Sequence, residues 1–403
     1  MHEKVLDITT ENRHLNGAFR PLVVVCAVVA LIGLGGSWIV AGQTEGGMDY
    51  LLETYLVSYS LFLAITLGAL FFVLLQHCTR AGWSVVVRRI AEVIAQNVWL
   101  MLVLLVPILI GMDHLYHWTD TAAAAHDPLL KGKLGYLDSN FFVGRLIVYF
   151  VVWGFLATFL YRNSVAQDTS GDPGLTLKME RVSAVGMVFF ALTINFAAFD
   201  LLMSLDSHWF STIFGVYYFA VSVVAFLAIM PKTLYGLQMK NVLPNAVTVE
   251  HYHDIGKLLF AFIVFWAYIA FSQYMLIWYA NLPEETMWFL KRQTGDWTFV
   301  SLMLILGHFL VPFILLISRM IKRRPLPLAL TGGFVVLMCW MNIYWLVIPE
   351  FSAGVARFGL LDILCLVGLS GVYSGAVLLR LNRHSVVAEK DPRLEESLAF
   401  ENA

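Results

Sequence analysis

The chain has 403 residues, of which 59% are hydrophobic and only 13% are charged, and its formal net charge is −2. Soluble domains carry about 25% charged residues, so this composition and a mean hydropathy of +0.75 exclude a soluble globular protein and indicate a polytopic membrane protein. The nearly neutral charge balance gives no reason to expect a nucleic-acid partner.

Ten segments reach the roughly 20 apolar residues that a helix needs to cross the hydrocarbon of a bilayer. In chain order they are 21–42, 55–76, 93–112, 141–161, 182–204, 212–231, 257–279, 298–318, 328–348 and 358–380. We expect helices because lipid offers no hydrogen-bond partner to unpaired backbone groups. The sequence therefore predicts an all-α polytopic membrane protein with ten transmembrane helices.

Basic residues are distributed unevenly between the two sides of this domain. If the N-terminus is inside, six of the 26 Lys and Arg residues fall outside, which leaves 20 on the inner side. The six outer residues are Lys131, Lys133, Arg145, Lys291, Arg292 and Arg357. The positive-inside rule therefore predicts cytoplasmic N and C termini, with tails at 1–20 and 381–403 and a membrane domain at 21–380.

Acidic residues at the outer ends of four spans indicate an internal repeat. The third, fifth, seventh and ninth spans end outward in Asp113, Asp206, Glu284 and Glu350. On this interpretation the domain contains two four-helix bundles, at about 55–204 and 212–348, and two peripheral helices. Chance remains the alternative, because acids commonly lie at helix ends.

Cysteine and histidine spacing predicts no cofactor site in this chain. None of the four Cys residues belongs to a CxxC or CxxCH motif, which iron–sulfur and haem c sites use. A haem b held by two transmembrane histidines needs a pair, and His308 is the only His in the middle of a span. We therefore predict that this chain binds neither a metal nor a redox cofactor of its own.

The stretch FAAFDLLMSLDSHWFSTIFGVYY at 196–218 places Asp200 inside an apolar run and Asp206 and His208 at the turn that follows. Ionisable groups within a membrane cost several kcal/mol and commonly mark a functional pathway. We therefore take all three residues as candidates for proton transfer. The structural alternative is that Asp206 caps the turn and that Asp200 reaches out to the interface.

The outer end of the third span carries Asp113, His114 and His117. In a helix, the spacing i, i+4 would place Asp113 beside His117, and a carboxylate next to an imidazole suits proton exchange. An interfacial polar cluster is an equally good interpretation. Zinc is a weaker one, because local spacing supplies no third ligand.

Further polar residues complete the pattern. Asp254 and Lys257 lie at the inner end of the seventh span and Glu284 follows its outer end, while His308, Asn342 and Tyr373 lie within later spans. The pattern predicts two half-channels separated by a thin middle. The full set of proton-path candidates is Asp113, His114, His117, Asp200, Asp206, His208, Asp254, Lys257, Glu284, His308, Asn342 and Tyr373. The alternative is that these groups only link neighbouring helices.

Two stretches resemble a known family. AFDLLMSLDSHWFSTIFGVYYFA at 198–220 and FSQYMLIWYANLPEET at 271–286 are similar to the membrane subunits of alternative complex III, a bacterial quinol:cytochrome c oxidoreductase, within the NrfD/PsrC-like family. The ten-span plan with both termini inside also fits this family. The short terminal extensions resemble the F-type subunit more than its C-type paralogue.

The resemblance implies a subunit without its own redox centre in the bacterial inner membrane, contributing a transmembrane proton path. It implies as partners a C-type paralogue, an iron–sulfur/molybdopterin-like subunit and haem c subunits, so that quinol, haem c and iron–sulfur clusters belong to the complex. Three alternatives remain open. They are a quinol site of its own at the periplasmic side, a purely structural anchor, and a secondary transporter, which typically has helices broken near the midplane.

Overall fold

A computed structural model describes residues 6–120, 126–352 and 354–402 of the chain. Helices account for 78% of it, and the described residues contain no strand. Ten helices are long and apolar enough to cross a membrane, which confirms the predicted all-α polytopic fold. In chain order they are α1 Arg20–Gln43, α2 Gly47–Cys78, α3 Val85–Ile110, α4 Ser139–Ser170, α5 Pro173–Leu201, α6 Phe214–Gln238, α7 Val249–Ala280, α8 Trp297–Ile317, α9 Pro325–Val347 and α10 Leu360–Leu381.

Some helices extend well beyond the apolar segments that predicted them. α4 continues to Ser170, and α5 already begins at Pro173. Gly171, with φ at 66°, ends α4, and the Asp172 side chain caps α5 by accepting a hydrogen bond from the Gly174 N–H (2.8 Å). Pro173 suits the first helical turn because an N–H there would have no intrahelical partner. The two helices therefore form a hairpin that projects past the apolar region.

Two of the ten helices are irregular along their length. α3 consists of three shorter segments, and α8 contains a π-helical turn at Leu304–Leu310. Pro312 accounts for the turn in α8, because a proline ring clashes with the carbonyl group four positions earlier, here that of His308. The wider turn relieves this clash and places His308 in an irregular part of the helix.

The helices pack as two sets of four with α2 at the centre. α3, α4 and α5 surround α2 in the first set, and α6 contacts both α7 and α9 in the second, with α8 between α7 and α9. α2 and α5 form the interface with α6 and α9, where Gly68 of α2 lies so close to the carbonyl of Ser222 that an added Cβ would be only 2.1 Å away. The internal repeat and the bundle bounds suggested by the sequence stay predictions.

α1 and α10 pack against each other and against α2, outside both sets. The crossing point is Gly33 of α1 with Gly368 of α10, where an added Cβ on Gly33 would lie 2.4 Å from the facing Cα. Two small residues let the backbones approach closely, as is common between helices in membranes. α1 is the most exposed of the ten helices, so its position is peripheral, as predicted.

Both tails lie at the same end of the domain, which we call the inner end; the opposite end is the outer end. Arg13 forms an ion pair with Glu389 (2.8 Å), and its carbonyl accepts a hydrogen bond from the Val386 N–H (2.9 Å). The carbonyl of Asn12 accepts another from the N–H of Leu243, between α6 and α7 (3.0 Å). A common end for both tails is what an even number of spans requires.

A buried ion network attaches the C-terminal tail to α3 and α4. Arg88 pairs with Asp391 in the tail (2.5 Å), and Arg89 makes two hydrogen bonds to Asp168 of α4 (2.9 and 3.1 Å). Glu92 lies against both guanidinium groups, at 3.3 and 3.1 Å. Because Arg88, Arg89 and Glu92 are almost completely buried, the loss of one charge would leave another unpaired in the interior.

Candidate functional site

Asp200, the acid within the apolar run, is fully buried and fully paired. Arg145 of α4 donates two hydrogen bonds to its two carboxylate oxygens (2.9 and 2.8 Å), and the Tyr149 hydroxyl donates a third (2.7 Å). The Arg145 guanidinium also lies over the rings of Tyr136 (3.9 Å) and Phe141 (4.5 Å). Asp200 therefore does not reach the interface, and its contacts are those of a residue that holds α4 and α5 together.

Asp206 joins two helical ends on the outer side. Its carboxylate accepts hydrogen bonds from the N–H groups of His208 (3.1 Å) and Trp209 (3.3 Å), so it caps the turn. Its other oxygen lies 3.1 Å from the Lys291 ammonium, which also contacts Glu350 at the end of α9 (2.8 Å). Burial alone would raise the pKa of Asp206, but Lys291 and the two N–H donors outweigh it and hold this pKa below its usual value.

Arg292 completes this group from a fully buried position. It pairs with Glu350 (2.8 Å) and donates to the carbonyls of Trp288, Trp345 and Leu346 at 2.8–3.1 Å. Its guanidinium stacks on the Trp288 ring at 3.5 Å. Burial lowers the pKa of Arg292, and Glu350 partly opposes this effect. We call Asp206, Lys291, Arg292 and Glu350 the outer charge cluster.

His208 lies outside that cluster, on the surface. Its Nε2 atom is 2.5 Å from the Asp127 carboxylate, which also caps the short helix Pro128–Lys133. Hydrogen bonds from the Leu130 N–H and from His208 lower the pKa of Asp127. The pair ties the turn after α5 to the loop between α3 and α4, and half of the His208 side chain is exposed.

The predicted pairing of Asp113 with His117 is wrong, because the two residues do not share a helix. The helical turn Met112–Leu115 ends before Tyr116, whose backbone is extended. Asp113 and His117 are both exposed, and neither side chain makes a hydrogen bond or ion pair with any residue in the described ranges. Spacing of i, i+4 places side chains together only where the helix continues.

His114 forms the acid–imidazole contact instead. Its Nε2 atom is 3.2 Å from Glu53 of α2, and its Nδ1 atom is 3.4 Å from Asp49. Asp49 is mostly exposed, whereas Glu53 is only 4% exposed. One carboxylate oxygen of Glu53 is buried and finds no hydrogen-bond partner in the described part of the chain. This arrangement links solvent to a buried, half-satisfied acid through one imidazole.

A second buried acid lies nearby at the start of α10. Asp362 accepts hydrogen bonds from the Tyr50 hydroxyl (2.7 Å) and from the Gly359 N–H (2.9 Å). Its remaining oxygen is buried without a hydrogen bond among the described residues. Buried polar groups are almost always hydrogen-bonded, so such atoms are the expected contacts of internal water.

Hydroxyl and thiol groups continue this series toward the middle of α2. Thr54 and Ser58 lie one turn apart on α2, and both are beside the Cys365 thiol of α10. The Trp340 indole N–H of α9 also points at the Ser58 oxygen (3.4 Å). All four side chains are buried.

A separate polar group lies in the inner half. The hydroxyls of Thr66 and Tyr373 are 2.8 Å apart, and Asn97 of α3 donates to the Tyr373 carbonyl (3.4 Å) and accepts from Arg380. From Ser58 to Thr66 the distance is about 12 Å along the helix axis, at 1.5 Å per residue.

We use the name α2 polar row for the buried and partly buried polar groups that follow α2 from the outer to the inner end. Its members are Glu53, His114, Asp362, Thr54, Ser58, Cys365, Thr66, Tyr373, Asn97 and Arg380. The buried hydroxyls of Tyr59, Ser60 and Tyr218 lie in the interval between its two halves, where Tyr218 donates to the Ser60 carbonyl (2.7 Å). The row therefore has an outer part that ends at Ser58 and an inner part that begins at Thr66, and the hydrogen bonds of the described residues do not join the two.

His308 and Asn342 belong to the second set of helices and not to this row. The His308 ring stacks on Trp266 at 3.9 Å, and its Nε2 atom is 3.8 Å from the Cys339 sulfur. Asn342 follows Cys339 by one turn on α9, and its side chain donates to the Tyr217 hydroxyl (2.6 Å). The three central candidates of the predicted path therefore divide between two places, with Tyr373 in the row and the other two elsewhere.

The predicted inner and outer ends of the path differ in their surroundings. Asp254 and Lys257 form an ion pair, and Lys257 also donates to Asn402 in the C-terminal tail (2.7 Å). They border a groove of about 460 Å³ that also contains Gln76 of α2, whose buried carbonyl oxygen is unpartnered among the described residues. Glu284 is exposed and makes no polar contact within the part of the chain that the structure describes.

Glu53 is the main residue that the sequence analysis missed. The signal existed, because an acid one or two turns inside an apolar helix was the reason for choosing Asp200. Glu53 was missed because it lies outside the predicted segment at 55–76, whereas α2 begins at Gly47. Asp362 lies within the tenth predicted segment and carries the same signal.

The described residues contain no cluster of three or more His, Cys, Asp or Glu side chains that could hold a metal ion. The fold and the site define a multi-pass helical membrane protein with a buried row of polar and titratable groups. No protein-family model matches the chain, and no curated protein matches it.

Proposed function

We propose that this chain is an integral subunit of a bacterial quinol-oxidising complex of the alternative complex III type, and that it conducts protons. The two stretches that resemble the NrfD/PsrC-like membrane subunits support the assignment to this complex. The observation that carries the proton-conducting role is the α2 polar row, because titratable groups at membrane depth are costly to retain without a function.

The proposed path begins at the outer surface. Asp49 is exposed and exchanges protons with solvent, His114 contacts both Asp49 and Glu53, and the imidazole therefore passes a proton between them. Thr54 and Ser58 extend the path inward, because a hydroxyl both donates and accepts hydrogen bonds. The path requires water between Ser58 and Thr66, where the buried Ser60 hydroxyl has no partner among the described residues.

The resemblance supplies the rest of the proposal. The subunit is of the F type, lies in the bacterial inner membrane and has no redox centre of its own. Its partners are a C-type paralogue, an iron–sulfur/molybdopterin-like subunit and haem c subunits. Quinol, haem c and iron–sulfur clusters belong to those partners, so electrons and protons take separate routes through the complex.

Glu53→Gln in the assembled complex tests the proton role. The amide keeps the shape of the side chain but cannot carry a proton at the outer end of the row, so we expect fewer protons released per electron in proteoliposomes. Glu284→Gln is the matched control, because the same change falls on an exposed outer acid without a partner among the described residues. An unchanged proton-to-electron ratio in assembled Glu53→Gln would contradict the proposal and leave a structural anchor.

A groove beside Asp206 supports a second candidate, a quinol site at the outer end. The groove has a volume of about 330 Å³ and is lined by Tyr136, Ser204, Asp206 and Phe210 among others. A carboxylate at the wall of such a groove would accept a proton from a quinol hydroxyl. Two aromatic residues at the outer end offer little to a quinol ring: Trp209 lines this groove but stacks on Trp288 (4.3 Å), and Tyr279 is largely exposed.

Ser204→Phe separates the two candidates, because the larger side chain would fill the groove without touching the α2 polar row. If the groove binds quinol, the variant complex loses bound quinone on purification while Glu53→Gln retains it. Equal quinone content in wild type and Ser204→Phe would exclude the outer groove as the quinol site.

A further inference from the structure

Two apolar grooves lie side by side on the lipid-facing surface of α4. The first has a volume of about 660 Å³ and lies between α4 and Trp99 of α3, and the second, of about 480 Å³, lies between α4 and α5. Phe155 lines both grooves, so its side chain forms the ridge between them. Their size and apolar lining suit hydrocarbon chains.

The first groove has a fixed wall. The Trp99 ring packs over Gly154, where an added Cβ would lie 2.7 Å from it, and its indole N–H donates to the Thr158 hydroxyl (3.0 Å). Both contacts hold the ring in place although 43% of Trp99 is exposed. The groove is therefore a formed site and not merely a gap between mobile side chains.

Three cations lie at the inner ends of the grooves. Arg162 and Lys178 line the first groove and Arg181 lines the second. None of them has a carboxylate partner in the described ranges, and the Lys178 ammonium lies 5.3 Å from the centre of the Phe159 ring. Neighbouring Arg80, by contrast, pairs with Glu180 (3.0 Å). No acidic side chain in the described part of the molecule compensates the positive charge here.

The position of these cations matches the level of lipid headgroups. The apolar segments of α4 and α5 end at residue 161 and begin at residue 182, directly next to Arg162 and Arg181. We propose that the first groove binds an anionic phospholipid of the bilayer, with its phosphate between Arg162 and Lys178 and an acyl chain along Phe155. Basic pockets between helices on one side of a membrane protein suit such lipids, and both cations and apolar lining are present together.

Quenching of Trp99 fluorescence by brominated lipid tests this site in the full chain. The signal from Trp99 is the difference between wild type and Trp99→Phe, measured in mixed vesicles of phosphatidylcholine and phosphatidylglycerol in which only one of the two lipids is dibrominated. We expect the Trp99 signal to show a preference for phosphatidylglycerol on the order of tenfold, since two cations contribute. Arg162→Gln with Lys178→Gln should reduce this preference to nearly one.

Arg319→Gln with Arg324→Gln is the matched control, because these exposed inner arginines do not line either groove. This variant loses the same charge and should keep the preference. Equal quenching by both lipids would show ordinary lipid contact only, and no Trp99 quenching by either lipid would show that a protein covers the groove; each result overturns the proposal. Mass spectrometry of lipid retained by the wild-type chain through detergent washing is an independent check, and loss of all anionic lipid would also overturn it.

Discussion

Two buried carboxylates at the outer end, Asp200 in the first helical set and Glu53 on α2, differ in how completely they are paired. Asp200 receives three hydrogen bonds from Arg145 and Tyr149, whereas Glu53 contacts His114 with one oxygen and leaves the other unpartnered among the described residues. Both are almost inaccessible to solvent. Burial of an acid is therefore a weak sign of function by itself, and the state of its partners separates a structural acid from a candidate for proton exchange.

Asp200→Asn should have the largest effect on stability. The amide leaves the Arg145 guanidinium, which is 10% exposed, without a counter-charge, and breaking a buried pair costs about 3–5 kcal/mol. Unfolding of the purified chain in mixed micelles, followed by circular dichroism, measures the change. Asp113→Asn, at an exposed outer acid, is the control and should alter the free energy of unfolding by no more than about 0.5 kcal/mol. Equal stability of the two variants would show that the Asp200 pair is dispensable.

Glu350→Gln tests the equivalent contact in the second set, and we expect a smaller loss of about 2–3 kcal/mol. Arg292 would lose its carboxylate but keep its bonds to three carbonyl groups and its stacking on Trp288. The same unfolding measurement applies. A cost as large as that of Asp200→Asn would mean that the carbonyl groups do not compensate the buried guanidinium.

Glu53→Gln should not lower the free energy of unfolding, unlike Asp200→Asn and Glu350→Gln. A half-satisfied buried carboxylate is costly, and a neutral amide is cheaper to bury, so the free energy of unfolding should stay constant or rise by up to about 1 kcal/mol. Unfolding of this variant and of Asp200→Asn in the same assay measures how differently the two acids contribute to stability. A loss of 3 kcal/mol or more would show that Glu53 is a structural ion pair like Asp200.

The sequence predicted the fold better than the site, for a physical reason. Each span is specified by its own 20 or so apolar residues, so α1 to α10 follow from local composition. The assignment of inner and outer sides rests on loop charges and stays a prediction. The π-helical turn at Leu304–Leu310 was not predicted, although Pro312 explains it once the structure is known.

The site depends instead on contacts between distant helices. The acids Asp200 and Glu53 have the same local signal, and only the partners Arg145 and His114, supplied by other helices, distinguish them. The predicted contact between Asp113 and His117 does not form because the helical turn ends at Leu115, before His117. Sequence patterns predicted which residues were candidates but not which of them would meet.

The pH dependence of the outer charge cluster is the smallest effect that we predict. The pKa of Asp206 lies below its usual 3.8 and that of Lys291 above its usual 10.5, because Lys291 contacts the carboxylates of Asp206 and Glu350 strongly enough to outweigh burial. A lowered acid pKa gives stability that is lost only as the pH falls below about 3.8, and a raised lysine pKa gives stability that is lost only as the pH rises above about 10.5.

The stability difference between wild type and Lys291→Gln should therefore be constant between about pH 5 and pH 9. We expect it to be below about 1 kcal/mol because the lysine is partly exposed, and to shrink at both extremes of pH. Unfolding measured across this range for both proteins tests the prediction. A difference that changes steeply near neutral pH would mean that a histidine, and not Asp206 or Lys291, controls the charge of this end of the molecule.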